Sequence, residues 1–453
     1  MLGIVVSRAD SASVHIGDQL RAVADWEQFT DESGPDAGGG GTVYRTDGAV
    51  IREFEEWHLH LDRPAAIFDD PDLLVFASRH SGETGPLLTA HHTGNFGPAD
   101  HGGEPNALAR ACPNAHDAVL DALREHAPER YEVGMECTHH GPTTVGAPSM
   151  FVEVGSAQAQ WDDPEACRAV AKAILDLRDV SSDQPAGDGS TVDSDRRHLV
   201  GFGGGHYTPR FERIVRETGW SVGHIAADWG LDAIEDDRDR PAVIEEAFQQ
   251  SAAAYGLVEG DKPRLTEIIE EYGYRAVTET WVRETDGVDL DLVEAIEDEL
   301  GQIEEGVRFG DRVPSHEGTD FEVTSLPAEL VDEASGIDRE AASDRIAART
   351  LAFQTEEGGT RPTETVVLAD DAERAAIIDD LVEILAERYD EIHRKDGRIV
   401  ARTEQFDPEK AKTFGLSEGP AFGRLASGEA VEVDGRTIPP EKVQTEREVS
   451  FEL

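Results

Sequence analysis

Lysine is scarce in this sequence of 453 residues. Lys and Arg together number 41 against 94 Asp and Glu, which gives a formal charge of −53. The six lysines are Lys172, Lys262, Lys395, Lys410, Lys412 and Lys442. This acidic excess excludes a conventional basic nucleic-acid binder that neutralises phosphates in dilute buffer. Because the acidic residues interleave with apolar periodicity, the composition favours a folded halophilic protein over an acidic disordered chain. In molar salt the Debye length is about 3 Å, and self-repulsion is screened.

Cysteines are few, and long apolar runs are absent from the sequence. The three cysteines, Cys112, Cys137 and Cys167, are widely spaced. That spacing excludes a disulfide framework and a thiolate zinc knuckle, and it favours a reducing compartment. No run of about 18 apolar residues occurs, and the N-terminus lacks the charged and apolar regions of a leader. The sequence therefore predicts a cytoplasmic protein with no membrane partner.

Short apolar runs alternate with helical patterns over the first 260 residues. Strands are predicted at 2–7, 73–78, 87–93, 131–137, 150–154, 198–202 and 222–225. Helices are predicted at 115–126, 164–177, 209–218 and 241–255. Two of these helices begin with a proline behind the capping residues Asp163 and Thr208. This order predicts an α/β fold with a mostly parallel sheet sandwiched by helices.

Two segments interrupt the alternation, and the pattern changes near residue 285. Segments 32–42 and 181–195 are rich in Gly, Ser, Asp and Pro, and we interpret them as polar surface insertions. Acidic helices are predicted at 290–303 and 369–388, and the tail from Asp396 is β-rich. We expect a larger domain at 1–285 and a smaller α+β domain at 286–453.

Histidines are concentrated at the carboxyl ends of the predicted strands, where open α/β sheets place their ligands. The candidate metal ligands are His80, His91, His139, His140 and His206. His92 and His224 also stand near strand ends, and Glu136 and Glu153 lie in the neighbouring segments. Neutral imidazole and carboxylate are ligands that Zn²⁺ accepts. The pattern predicts a metal or acid–base site at this rim, although the His-Glu-x-x-His helix is absent.

Further features indicate substrate contact. The candidates are Gly203, Gly204, Gly205, Arg210, Arg213 and Arg216. The glycines form a turn before a helix, where backbone N–H groups can approach an anion. The arginines repeat every three residues, as a solvated face or as a phosphate-binding ridge. Asn95, close to two glycines, is either an oxyanion donor or part of an ordinary turn. We interpret Cys137 as a buried strand residue.

Six short segments stand in a specific order along the chain. They are MLGIVVSRADSAS at 1–13, SRH at 78–80, HxTGNFG at 91–97, ExTHHGPT at 136–143, VEVGS at 152–156 and GGGHY at 203–207. Together they resemble the archaeal and plant type of D-aminoacyl-tRNA deacylase over roughly residues 1–260. The resemblance implies a zinc-dependent esterase that removes D-amino acids from tRNA. It also implies a single α/β sandwich similar to the phosphorylase and peptidyl-tRNA hydrolase group. The two insertions and the long C-terminal region depart from the shorter archaeal members.

The tail carries a second, weaker similarity. Residues 419–428 (GPAFGRLASG) and 433–438 (VDGRTI) are similar to a C-terminal stretch of tRNA 3′-processing metallo-β-lactamases. This stretch is either a small tRNA-facing module or a plain β-hairpin that stabilises the domain.

The resemblance implies an enzyme that hydrolyses the ester bond of D-aminoacyl-tRNA with water activated by zinc. We expect the chain to act as a monomer. The five histidines are the pool of zinc ligands, which two ions can share. Glu136 or Glu153 is the general base or an extra ligand, and Asn95 is the oxyanion donor. Two alternatives remain open at this stage. One is a nucleoside or nucleotide enzyme on the same fold, and the other is a non-catalytic tRNA-binding protein with structural histidines.

Overall fold

The computed structural model describes residues 1–185, 196–236, 238–433 and 435–453. The chain divides into two compact units, unit 1 at 1–286 and unit 2 at 287–453. None of the helices in the described part is long and apolar enough to cross a membrane.

Unit 1 alternates strands and helices. Its strands are β1 Leu2–Ser7, β2 Glu27–Asp31, β3 Gly38–Thr46, β4 Ala49–Phe54, β5 Leu73–Arg79, β6 Leu87–His91, β7 Gly94–Asn95, β8 Ala107–Leu108, β9 Glu132–Met135, β10 Ser149–Gly155, β11 His198–Phe202, β12 Ser221–Ala226, β13 Tyr255–Val258 and β14 Arg275–Val277. Its helices are α1 Ser11–Val23, α2 Pro113–His126, α3 Gln158–Trp161, α4 Pro164–Asp176, α5 Pro209–Glu217, α6 Asp228–Asp232, α7 Arg240–Ser251, α8 Pro263–Glu271 and α9 Glu279–Glu284.

The large sheet of unit 1 has eight strands in the order β2-β3-β4-β1-β5-β10-β6-β9. Its centre, β4-β1-β5-β10, is parallel, and β10 pairs antiparallel with β6. The predicted α/β class is confirmed. The strands from residue 198 onward, however, form a separate parallel sheet in the order β12-β11-β13-β14, so unit 1 contains more than the single sheet that the resemblance implied.

Burial explains why the central strands form as predicted. Every residue of β1 and β10 is buried, and so is β5 up to its last residue, Arg79. Continuous apolar runs of this kind are typical of strands covered on both faces. The rings of Phe76 in β5 and Phe151 in β10 stack 4.6 Å apart in the core, which fixes these two strands beneath the candidate site.

Capping side chains start two of the helices. Asp10 accepts a hydrogen bond from the Ala12 amide at the start of α1, and Asp163 accepts one from Glu165 in α4. The predicted cap at Thr208 is wrong, because the Thr208 hydroxyl donates to the Met135 carbonyl instead. This bond ties the start of α5 to the end of β9.

The two predicted insertions differ from expectation. Within 32–42, the glycines from Gly38 onward belong to β3, and Gly39 and Gly40 are buried. A Cβ on Gly40 would lie 2.2 Å from the Gly34 carbonyl oxygen, so glycine here permits close backbone packing and does not mark a solvated loop. In the second segment, residues 186–195 lie outside the described part. The start of that segment is packed, because buried Asp183 pairs with Arg110 at 2.8 Å.

Unit 2 is an α+β assembly. Its strands are β15 Val307–Phe309, β16 Glu322–Ser325, β17 Ala352–Glu356, β18 Arg361–Leu368, β19 Glu391–Lys395, β20 Arg398–Phe406, β21 Val431–Val433, β22 Arg436–Ile438 and β23 Gln444–Glu452. Its helices are α10 Leu290–Leu300, α11 Ala328–Ile337, α12 Arg339–Ala347, α13 Ala372–Leu385, α14 Pro408–Thr413 and α15 Pro420–Ala426. Antiparallel pairing orders the strands as β15-β17-β18-β16, β19-β20-β23 and β21-β22.

The two helices predicted in this region are present as α10 and α13. The apolar stripe of α13 is buried in the core of unit 2, as its helical spacing predicted. The stretch similar to tRNA-processing enzymes forms α15 and the β21-β22 pair.

Candidate metal centre

Folding gathers all seven predicted metal and acid–base residues into one cluster. His80 follows β5, His91 ends β6, Glu136 follows β9 and Glu153 lies within β10. The remaining members, His139, His140 and His206, lie in loops. Four groups of three side chains have ligand atoms within 4.8 Å of one another: His91/His139/His140, Cys137/His139/His206, His80/Glu136/His206 and His91/Glu136/Glu153. The predicted convergence at one rim is therefore what the fold produces.

Backbone carbonyls orient three of the imidazoles in the same way. The Nδ1 atoms of His91, His139 and His140 lie 2.8–2.9 Å from the carbonyl oxygens of His92, Cys137 and Gly141. An Nδ1–H that donates to a carbonyl leaves Nε2 as the unprotonated nitrogen of a neutral ring. His91, His139 and His140 form one candidate ligand group. This arrangement of the outer hydrogen bonds is typical of metal-ligating histidines.

His140 has an unusual backbone conformation. Its φ is 48°, in the left-handed region that few residues other than glycine adopt. Such a conformation costs of the order of 1–3 kcal/mol and persists where the surrounding structure imposes it. At this position it directs adjacent imidazoles, His139 and His140, into the same cluster, with ring centroids 4.5 Å apart.

Glu136 is buried between two histidines. Its Oε2 lies 2.9 Å from His206 Nε2, and its Oε1 lies 3.1 Å from His80 Nδ1. Burial raises the pKa of Glu136, but the hydrogen bonds from His206 and His80 outweigh burial and hold that pKa well below its usual range. His80 in turn has Tyr207 Oη 2.9 Å from its Nε2. Glu136 is therefore an ionised carboxylate held in place from both sides.

The pKa directions of the histidines separate into two kinds. Burial lowers the pKa of His80 and of His91, but the Glu136 and Glu153 carboxylates raise both pKa values above the ordinary value. Burial, with the neighbouring His91 ring, lowers the pKa of His139 and of His140 well below the ordinary value. The latter two are therefore neutral at pH 7, which is the form that binds a metal.

The donor set fits a zinc ion. His91 Nε2 is buried and has no hydrogen-bond partner among the described residues. Buried polar atoms without partners are rare and call for an ion or another ligand. Imidazole nitrogens with carboxylates nearby are the donors found at catalytic zinc sites. Cys137, which was interpreted only as a buried strand residue, is buried but also belongs to one of the candidate ligand groups. Its position directly after Glu136 was the one signal for this.

The cluster forms one wall of a cavity of about 750 Å³. The lining includes His80, His139, His140, Glu153 and His206, together with Trp57, Arg79, Asn95 and Trp229. Glu153 lies 3.8 Å from both His80 Nδ1 and His91 Nε2. Glu153 thus faces the cavity, whereas Glu136 is not among the lining residues.

Asn95 lines the cavity but holds a loop. Its side-chain amide donates to the carbonyl oxygens of Gly102 and Glu104, at 2.9 and 3.1 Å. Both amide hydrogens are engaged, and neither is left to donate to an oxyanion. This arrangement favours the turn alternative, and the oxyanion role of Asn95 stays a prediction.

The glycine turn positions His206 but does not form an anion cradle. Gly203, Gly204 and Gly205 are not among the cavity-lining residues, and the Gly203 amide donates to the Ala226 carbonyl. A Cβ on Gly204 would lie 2.9 Å from a Glu259 carboxylate oxygen. Because a carboxylate faces the turn, the structure does not support the predicted substrate contact there.

The arginine ridge on α5 is largely neutralised. Arg210 and Arg213 both pair with Glu279 of α9, at 3.0 and 2.7 Å, and Arg216 pairs with Glu217. None of the three arginines is among the cavity-lining residues. Phosphate binding by this ridge stays a prediction, and the observed pairing does not favour it.

His92 and His224 do not join the cluster. His92 accepts from the Cys112 amide and donates to the Gly223 carbonyl, and His224 bonds to the Ala109 carbonyl and the Thr138 hydroxyl. Their rings lie 5.7 Å apart in a separate buried group. These two histidines, which also stand near strand ends, were not among the five candidate metal ligands.

Comparison with known proteins shows the family. The family profile described as D-aminoacyl-tRNA deacylase matches residues 67–277. The chain is 56% identical to the D-aminoacyl-tRNA deacylase of Haloarcula marismortui, over 99% of each chain, and 50% identical to that of Natronomonas pharaonis over the whole of both. The chain belongs to the D-aminoacyl-tRNA deacylase family. This family is one of enzymes, and it includes full-length relatives from haloarchaea.

A solved structure matches this deacylase family member over part of its length. A conserved protein of unknown function, AF0625, is 29% identical with a TM-score of 0.53, and the match covers 98% of that chain and 63% of this one. The shorter protein thus lacks a counterpart for more than a third of this chain. The departure from shorter archaeal members that the sequence predicted is consistent with this coverage.

Proposed function

We propose that this chain hydrolyses the ester bond of D-aminoacyl-tRNA in the histidine-lined cavity, with zinc as its cofactor. The observation that carries the proposal is the candidate ligand group of His91, His139 and His140, whose Nδ1 atoms all lie against backbone carbonyls, beside two buried carboxylates. Full-length relatives that bear the name of this activity support the reaction.

His91, His139 and His140 would hold the ion, with Glu136 as a neighbouring carboxylate. A second ion, if present, would take His80 and His206, whose ligand atoms form another candidate group with Glu136. A bound zinc ion lowers the pKa of a coordinated water to about 7 and polarises an ester carbonyl. The hydrogen bonds that the rings donate to the carbonyl oxygens of His92, Cys137 and Gly141 hold the rings in place.

Glu153 is the residue we assign as general base. Its carboxylate faces the cavity and takes a proton from the attacking water while the water oxygen bonds to the ester carbonyl carbon. The bond to the ribose oxygen then breaks, and Glu153 returns the proton to that oxygen. The products are a free D-amino acid and a tRNA with its terminal hydroxyl restored.

The working environment we propose is a cytoplasm of molar salt, with the chain acting as a monomer. The formal charge of −53 supports the high-salt environment, because such a charge is tolerated where it is screened.

Unit 2 is a candidate for contact with the tRNA body. Four of the six lysines, Lys395, Lys410, Lys412 and Lys442, lie in its C-terminal part.

Metal removal tests the proposal directly. The chain in molar KCl is freed of metal with a chelator, and release of D-tyrosine from D-Tyr-tRNA is measured before and after zinc is added back. We expect activity to be lost and then restored. Full activity in the metal-free protein would contradict the zinc role, and absence of amino-acid release by the zinc-loaded protein would contradict the reaction.

Variants separate the roles within the cluster. His139→Ala and His140→Ala should each lower the zinc content measured by mass spectrometry. Glu153→Gln should keep the zinc and lower kcat by about a hundredfold or more. His126→Ala is the matched control, because His126 lies at the end of α2 and pairs with Asp176 away from the cluster. Loss of zinc in His126→Ala as well would show that the effect is not local.

A further inference from the structure

Arg79 has an unusual setting for an arginine in so acidic a chain. It is the last residue of β5, directly before His80, and it lines the cavity. Its guanidinium carbon lies 4.3 Å from the ring centroid of Trp57 and 4.6 Å from that of Trp161. Among the described residues, the guanidinium makes no ion pair and no hydrogen bond. Arg79 is thus a cation held by two aromatic rings, with its donors free.

Backbone and side-chain hydrogen bonds hold Arg79 and Trp161 next to the candidate metal centre. The Trp161 indole N–H donates to the His80 carbonyl oxygen at 2.9 Å, and the Arg79 backbone N–H donates to Asp10 at 3.1 Å. Aromatic packing on a guanidinium occupies its faces and leaves the N–H groups in its plane available. The arrangement therefore fixes the position of a positive charge without using its hydrogen bonds.

The contrast with the α5 arginines indicates what Arg79 binds. Arg210 and Arg213 are already paired with Glu279, so an anion would have to displace a carboxylate there. At Arg79 no such displacement is needed. A guanidinium fork fits a phosphate with two parallel hydrogen bonds. In molar salt, where long-range attraction to tRNA is screened, a preformed short contact of this kind contributes more of the specificity.

The chemistry of the proposed substrate leaves one anion common to every D-aminoacyl-tRNA near its ester. The amino group of the amino acid is cationic, and the nearest negative charge is the phosphodiester that joins the last two nucleotides. Trp229, which is 51% exposed and lines the same cavity, offers a ring face on which a terminal base can stack. A terminal nucleotide bound beside the metal centre would place its phosphate at Arg79 and its base against Trp229.

We propose that Arg79, held between Trp57 and Trp161, binds the phosphodiester that joins the last two nucleotides of the tRNA substrate. The inference rests on the proposed function, since it names how the same cavity holds its substrate. Arg79 on this reading is a substrate-binding residue and takes no part in proton transfer.

Two substrates, one with this phosphate and one without it, provide the test. D-Tyr-tRNA carries it, and D-tyrosyl adenosine, the same ester on a lone nucleoside, does not. We expect Arg79→Gln to raise the KM for D-Tyr-tRNA about tenfold or more and to leave kcat/KM for D-tyrosyl adenosine within about twofold. Arg79→Lys should fall between, because lysine keeps the charge but not the fork. Arg168→Gln, on the surface of α4, is the control.

A binding measurement reads the same contact without catalysis. Calorimetry should show that the wild-type chain binds the dinucleotide cytidylyl adenosine more tightly than adenosine, and that Arg79→Gln loses this preference. Equal losses on both esters, or an unchanged dinucleotide preference, would overturn the proposal. A loss confined to D-Asp-tRNA would also overturn it, in favour of a side-chain carboxylate as the anion. Failure of the proposed function is distinct, because the wild-type chain would then cleave neither ester.

Discussion

At the scale of single residues, the orientation of an imidazole depends on what its second nitrogen contacts. A histidine whose Nδ1–H is bound to a carbonyl can offer only Nε2, and it offers it as a lone pair. His91, His139 and His140 each have such a carbonyl. Three members of the cluster are therefore oriented by backbone carbonyls, a feature that the residue types alone do not show.

Asp10 is a buried carboxylate whose titration should be visible in the stability of unit 1. It is fully buried at the start of α1 and accepts hydrogen bonds from the Ala12 and Arg79 amides. Burial raises the pKa of Asp10 from 3.8 to about 6. Because the folded pKa lies above the unfolded one, the folded state binds the proton more tightly. The stability that results is full below about pH 4 and is lost as pH rises through about 6.

The wild type should be more stable than Asp10→Asn at low pH. We expect this difference in the free energy of unfolding to fall by about 1.5 kcal/mol between pH 5 and pH 7.5. All six tryptophans lie in unit 1, so tryptophan fluorescence during urea unfolding reports this unit alone. Asp163→Asn is the control, because Asp163 also caps a helix. Burial raises the pKa of Asp163, but Arg130 and Tyr131 outweigh burial and lower it. A flat difference for Asp10→Asn would contradict the burial argument.

Strand-end position predicted most of the candidate site from the sequence, and strand geometry explains the exceptions. His91 and His92 are neighbours along the chain, so their side chains leave the backbone on opposite sides. One imidazole thus reaches the cluster and the other enters a separate buried group. The alternatives for Asn95 stayed open because its partners, Gly102 and Glu104, are brought to it by a loop whose path the sequence does not reveal.

At the scale of elements, the pairing of α5 with α9 decides what the arginine ridge can do. Glu279, the first residue of α9, accepts from Arg210, Arg213 and Arg283. Burial raises the pKa of Glu279, but these arginines outweigh burial and lower it. An ionised carboxylate at this junction makes the ridge a contact between two helices of unit 1.

Charge reversal at Arg213 separates a helix contact from a phosphate contact. Arg213→Glu replaces an exposed ion pair with a repulsion, and such pairs contribute about 1 kcal/mol or less. We therefore expect a loss of that order in the unfolding free energy of unit 1, with the KM for D-Tyr-tRNA unchanged within about twofold. A raised KM with unchanged stability would instead restore the phosphate-binding ridge.

Most strands that the sequence predicted are buried in a regular pattern, although the similarly buried β4 was not predicted. The all-buried strands β1, β5 and β10 were found within one or two residues. The hairpin β2-β3 was missed because β2 is mostly exposed and β3 begins with four glycines, so neither carries an apolar alternation. The separate sheet β12-β11-β13-β14 could not be distinguished either, since periodicity marks strands but not which sheet they join.

At the scale of the whole molecule, the charge of −53 makes the folded chain dependent on screening. Confining this charge to a compact shape costs free energy that the unfolded chain avoids, and the cost grows as the Debye length increases from about 3 Å at 1 M salt to about 10 Å at 0.1 M. The surface ion pairs act in the opposite direction, because salt weakens them, but each contributes little. The repulsion should dominate.

We expect the free energy of unfolding to fall by several kcal/mol when KCl is lowered from 2 M to 0.1 M. Tryptophan fluorescence follows unit 1, and far-ultraviolet circular dichroism follows the whole chain. Sucrose at the same water activity is the control, since it favours compact states without screening charge. If sucrose replaced KCl fully, the stabilisation would come from exclusion of the cosolvent and the electrostatic argument would fail. If only salt restored stability, the acidic excess that excludes ordinary basic RNA binding would also be what makes folding depend on high salt.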